Sequence, residues 1–167
     1  NTSHTYNNLS TILDSSFTVS LIISNIEGCS DSTDSAITVF PQPLADFSFS
    51  SPAICSNDTV FVNNSSSAKL PAAYLWTITS PNPNGVIISD TTAFEPFLTF
   101  PLNQSTSDST YTLLLVVTSA NGCKDSINQD ITVHRNPLVD FTITPEGCGP
   151  LDATVTNNTS NVSSTYV

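Results

Sequence analysis

In the stretch YTLLLVVTS, Tyr111, Leu113, Leu115 and Val117 fall on one side of an extended chain, with Thr112 and Thr118 on the other. The stretch FTVSLIIS repeats the alternation: Phe17, Val19, Leu21 and Ile23 share one side, and Thr18, Ser20 and Ser24 the other. A period of two marks a strand buried on one face, because successive side chains of an extended chain point in opposite directions. The same reading predicts strands at 44–50, 58–64, 73–79, 85–89, 94–100 and 127–134. Ala120-Asn121-Gly122, just before Cys123, supplies a hairpin turn, since glycine tolerates the positive φ of a tight reversal.

The pattern is written twice. Gly28 falls on Gly122 at an offset of 94, and the same offset lays Phe17 on Tyr111, Val19 on Leu113, Cys29 on Cys123 and Asp31 on Asp125. It also lays Ile37–Val39 on Ile131–Val133 and Phe47 on Phe141; one residue then drops out, and Cys55 meets Cys148. This is an internal repeat. Cut at the Pro-containing joints FPQP and HRNP, the chain divides into the C-terminal half of one unit (1–41), a complete unit (42–135) and the N-terminal part of a third (136–167). About seven short strands in the complete unit are the number found in an immunoglobulin-like β-sandwich, with Trp76 on the third strand as the core plug. The predicted class is all-β, with tandem sandwiches.

Composition narrows the function. Fourteen acidic against three basic residues give a net charge of −11, a surface that repels phosphate backbones and anionic headgroups, so nucleic-acid partners are excluded. The longest apolar run, Leu113–Val117, is far too short for a membrane-spanning helix, so no membrane insertion is expected. The absence of Met, even at position 1, suggests a segment of a longer chain, and four Cys with very few Lys suit an exported one.

With these residues in hand, the chain resembles PKD-type repeats, the immunoglobulin-like modules named for polycystin. SHTYNN…SSFTVSLIISN is similar to that family's H-x-Y … Y-T-V-x-L-x-V-x-N segment. YLW at Tyr74–Trp76 resembles its Y-x-W, and GCGPLDATVTNNTS from Gly147 resembles the opening of the cysteine-containing variant. The resemblance implies a large cell-surface protein, such as a gliding-motility adhesin exported by type 9 secretion. Its partners would then be neighbouring repeats of the same chain, the secretion and attachment machinery, and surface glycans or proteins. One departure stands out. The family continues Y-x-W with D-F-G-D-G, whereas this chain reads WTITSPNPNG, without the paired Asp.

No catalytic residues are expected. His4 and His134 lie in different units, so one His per unit gives no Ser-His or Cys-His arrangement. Each unit places one Cys before its second strand (Cys55, Cys148) and one at its last hairpin (Cys29, Cys123). Two pairings stay open: Cys55 with Cys123 inside the unit, or Cys123 with the strand-A-to-B cysteine of the preceding unit, across the joint. Asp31, Asp34 and Asp125 at hairpins facing a unit boundary are weak calcium candidates, calcium being the one cofactor the acids suggest. Finally, Asp followed by Ser or Thr recurs, which looks like the O-glycosylation acceptor of proteins exported by gliding bacteria. That resemblance puts sugars on Ser32, Ser35, Thr59, Thr91, Ser109 and Ser126, against the plain reading of turn pairs. The expected role is that of a stalk or spacer on the cell surface. The alternatives are a glycan- or protein-binding module, with SPNPNGVIIS as its loop, and an accessory domain of a secreted hydrolase.

Overall fold

The structure, a computed structural model, describes residues 3–79, 85–143 and 146–159. Among the described residues twelve strands run in chain order: β1 (Ser15–Ser24), β2 (Ser30–Val39), β3 (Phe47–Phe49), β4 (Ala53–Cys55), β5 (Thr59–Asn64), β6 (Ala73–Ile78), β7 (Ile87–Ile88), β8 (Phe97–Thr99), β9 (Ser109–Thr118), β10 (Lys124–His134), β11 (Phe141–Ile143) and β12 (Val155–Asn157). The chain is all-β, as its β-branched, turn-rich sequence requires.

Residues 44–134 build two four-stranded sheets, ordered β3-β5-β8-β7 and β4-β10-β9-β6. That is the strand partition of an immunoglobulin-like sandwich, with the last two strands and the third in one sheet and the first, second, fourth and fifth in the other. The first predicted strand, 44–50, is in fact a short β3 followed by a crossing. Ser50 still donates its amide to Phe61 O (2.9 Å), but after Pro52 the chain joins the opposite sheet, where β4 runs parallel to β10. Proline has no amide to give either ladder, so the switch falls at the residue where a continuous strand would lose a bond. Its carbonyl is still used, accepting Thr132 N–H at 3.1 Å. Position 52 thus adds an eighth strand that alternation alone does not reveal.

Both sheets fill one core. Phe47, Val60, Val62 and Leu98 face Trp76, Tyr111, Leu113, Leu115, Val117, Ile131 and Val133, all buried. Trp76 packs edge-on to Phe47 at 5.1 Å between ring centres, and its indole N–H donates to Ala93 O at 2.8 Å. The plug predicted from sequence therefore has its polar edge satisfied, which is what lets a tryptophan sit in a dry interior.

The repeat reappears as hydrogen-bonded geometry. In β1–β2, Ser15 pairs with Val39 and Ser24 with Ser30; in β9–β10, Ser109 pairs with Val133 and Thr118 with Lys124, each strand shifted by the same 94 positions. The turns match as well. Asn25 N–H donates to Cys29 O at 3.0 Å and Ser119 N–H to Cys123 O at 2.9 Å, with Gly28 and Gly122 at φ 86° and 81°. At the other end, Phe141 pairs with Asn157 as Phe47 pairs with Asn64. The hairpin β1–β2, however, carries no second sheet among the described residues, and Val19, Leu21 and Ile23 are 38%, 61% and 62% exposed.

Candidate functional site at the poles of the unit

The chemistry-bearing residues gather at the two ends of the sandwich. At the exit pole, where β10 ends, Cys55 lies opposite His134 in the β4–β10 ladder, and Ser56 N–H donates to His134 O at 3.2 Å. Val133 is buried and Ile54 packs against the core, so Cys55 and His134, one residue on, take the solvent side. Asp108 closes this pole. Its Oδ2 lies 2.8 Å from His134 Nδ1 and its Oδ1 accepts Arg135 N–H at 3.1 Å. The His134 bond first, then that amide, hold the Asp108 carboxyl below its ordinary range. The pair thus clamps the start of β9 to the end of β10. The nearby hydroxyls are engaged elsewhere: Ser56 Oγ donates to Asn136 Oδ1, and Ser105 Oγ lies 2.6 Å from both Asn103 Oδ1 and Ser107 O, with its one proton shared between them. His4, the other histidine, stacks edge-on to Tyr6 at 4.7 Å.

Asn103 reads in the sequence as one of many Asn-x-Ser/Thr matches that composition explains, and its role in the site is not foreseen there. Its amide donates to Ser107 O (3.1 Å) and to Val133 O (3.2 Å), and its Oδ1 accepts Ser105 N–H (3.1 Å). Asn8 does the same work beside the β1–β2 hairpin, donating to Leu13 O (2.7 Å) and Val39 O (2.8 Å) and accepting Ser10 N–H (3.0 Å). Both sit in N-x-S, but they are 95 apart, one residue out of the repeat frame, so a rigid offset pairs Asn8 with Leu102 and hides the match. The Asn-x-Ser triplet here is a loop clamp.

The entry pole is built from the link into the unit and the β9–β10 turn. Gln42 Nε2 donates to Lys124 O at 2.6 Å, and Asp125 Oδ2 accepts Ala45 N–H at 2.8 Å. Ala120 N–H donates to Lys69 O at 3.1 Å. Residues N-terminal to the link meet this pole: Thr11 and Ser67 hydroxyls lie 2.6 Å apart, and Asp14 pairs with Lys69 Nζ at 2.6 Å, with that ammonium also 6.0 Å from the centre of the Phe40 ring.

The four cysteines are all free thiols, three exposed and Cys123 half-buried. Cys55 is level with His134, the last residue of the eleven-residue β10, whereas Cys123 adjoins Lys124, its first. Ten steps of strand separate them by roughly 33 Å, far beyond the ~7 Å that a disulfide allows between Cα atoms. A bond inside the unit does not fit this fold.

The calcium candidates are not brought together. Asp125 is occupied by the Ala45 amide, Asp31 accepts Ser32 N–H at 2.9 Å, and Asp34 lies opposite Ser20 in the β1–β2 ladder. Among the described residues no three acidic, His or Cys side chains cluster to hold a metal. Of the sugar-acceptor candidates, Ser32, Ser35, Thr59, Thr91 and Ser126 are exposed and Ser109 is half-buried. Several of the preceding Asp have local work: besides Asp31, Asp108 and Asp125, Asp90 accepts both the amide and hydroxyl of Thr92 at 2.8 Å. Those bonds, the amide first, hold the Asp90 carboxyl below its ordinary range. The first half of the proposed binding loop, 80–84, lies outside the described residues, and its second half carries β7.

No family model matches the chain, and no curated protein does either. Among solved structures it is similar to the PKD1 domain of the Vibrio cholerae metalloprotease PrtV, with 25% identity and a TM-score of 0.38 over 56% of this chain and 98% of that one. It is also similar to the PKD1 domain of Vibrio anguillarum Epp, with 19% identity and a TM-score of 0.41 over 59% of this chain and 100% of that one.

Proposed function

We propose that the chain is part of a tandem array of immunoglobulin-like units that serves as the stalk or spacer of an extracellular surface adhesin, with a mechanical and spatial role and no catalysis. The observation that carries this reading is the repeated ladder: β1–β2 and β9–β10 keep one register through a shift of 94 residues. Only one of the two has its apolar face covered. The uncovered face asks for a front half like 42–108, supplied by sequence upstream. The link is a proline-flanked segment, Pro41-Gln42-Pro43, restricted at φ and backed by the Lys69–Asp14 pair, so units are spaced end to end. The −11 charge keeps neighbouring stalks apart. The sequence resemblance to surface-adhesin repeats supplies the finer setting, with gliding motility and type 9 export as its context and neighbouring units and the attachment machinery as partners.

X-ray scattering tests the proposal. Duplicating residues 42–135 in place lengthens the particle by roughly 35 Å, the length of an eleven-residue strand. Unchanged maximum length, with the added copy folded against the side of the first, contradicts it.

A second reading, a glycan-binding module, is favoured by one feature. Phe61 and Phe97 are exposed on the outer face of β5 and β8, with ring centres 6.2 Å apart. A glycan array probed with the full chain separates the two: a spacer binds nothing, and signal that disappears in Phe61→Ser supports the module.

A further inference from the structure

The poles of the unit are not chemically alike, and the repeat lets them be laid against each other. Position 136 at the exit pole corresponds to position 42 at the entry pole, 94 residues earlier. At the exit pole, Asn136 Oδ1 accepts the hydroxyl of Ser56, the residue after Cys55. At the entry pole, Gln42 Nε2 donates to the carbonyl of Lys124, the residue after Cys123. One link position therefore bonds to the neighbour of the strand-β4 cysteine of the unit it leaves and to the neighbour of the turn cysteine of the unit it enters. The link residue is fixed on both flanks. Asn136 N–H donates to Asn103 O at 2.9 Å, and Ala45 N–H is held by Asp125 Oδ2 at 2.8 Å.

We infer that a disulfide crosses each joint, between the cysteine equivalent to Cys55 in one unit and the cysteine equivalent to Cys123 in the next. The inference rests on the tandem-array reading above. Cys55 is exposed and Cys123 half-buried, so both thiols are open to an exchange partner. In the step itself, two Sγ–H bonds break and one Sγ–Sγ bond forms, and the two electrons and two protons released reduce the disulfide of a thiol–disulfide exchange oxidant, which leaves as two thiols. Four free cysteines follow directly: the partners of Cys29 and Cys123 belong to preceding units, and those of Cys55 and Cys148 to following ones. The bond turns a proline-limited hinge into a covalent double connection, through the main chain on one side and through sulfur on the other.

The test uses the full chain with residues 42–135 duplicated in place. In one version all cysteines become Ser except Cys55 of the first copy and Cys123 of the second. In the other, the only cysteines kept are Cys55 and Cys123 of the first copy. Both are treated with oxidised glutathione and analysed by intact mass and non-reducing peptide mapping, and the reduced forms are measured by X-ray scattering. The expected result is an intramolecular disulfide in the first version only. Closure in the second version, or two open thiols in the first, overturns the inference. Scattering locates the failure. A chain lengthened by one unit whose thiols stay open leaves the array intact and removes only the cross-joint bond, whereas a chain that does not lengthen removes both.

Discussion

The hairpins β1–β2 and β9–β10 share one pattern and one register in two surroundings. Phe17, Val19, Leu21 and Ile23 answer to Tyr111, Leu113, Leu115 and Val117, and the ladders match residue for residue. Yet Leu21 is 61% exposed and Leu115 0%. Alternation and a glycine turn thus suffice to set a hairpin's register, which is local, while burial comes from the sheet opposite, which is not. The stability of the second hairpin therefore lies in Phe47, Val60, Leu98 and Trp76, residues outside it that belong to other strands.

The largest effect that sharpens this contrast is a matched pair of truncations. Leu115→Ala removes a buried side chain from a closed core and costs about 2–5 kcal/mol; Leu21→Ala, at the equivalent exposed position, shifts the same denaturant midpoint by less than about 0.5 kcal/mol. Equal losses at the two sites break the comparison. Next comes the loop clamp. Asn103→Ala removes the side-chain bonds to Val133 O, Ser107 O and Ser105 N–H from a buried loop and costs about 1–3 kcal/mol, whereas Asn8→Ala leaves the main unfolding transition where it was. The smallest effect is electrostatic. The Asp108 carboxyl is depressed below its ordinary 3.8 in the folded chain, so its contribution is fully present above that pH and is lost as the pH falls through the lower folded value. Asp108→Asn is accordingly slightly less stable than wild type at neutral pH, and the two stability curves converge in acid. Curves that stay parallel into acid contradict the clamp.

Legibility followed the same division between local and distant. The alternation at 111–117, the turn at Gly122 and the plug at Trp76 could be read because each depends on a few adjacent residues and one hydrophobic face. The switch of sheets at Pro52 could not, since β4 is only three residues long and its partner, Thr132–His134, lies some eighty positions away. Asn103 was visible as one Asn-x-Ser among many and set down to composition, because the one-residue slip in the loop before β9 hid its pairing with Asn8. The poles of the unit were half legible. The positions of the cysteines followed from strand order, but the bonds from Gln42 to Lys124 and from Ser56 to Asn136, which bring their neighbours to one link residue, are tertiary.

The central claim is that 15–41 and 109–135 are the same back half of the same kind of unit. The direct measurement is a chimera carrying 15–41 in place of 109–135 behind the front half 42–108, followed by amide hydrogen exchange and denaturant unfolding. One cooperative transition is predicted, with the amides of Val19, Leu21 and Ile23 as protected as those of Leu113, Leu115 and Val117 in the parent chain. A chimera whose grafted amides exchange freely, and which unfolds without a cooperative transition, contradicts the claim.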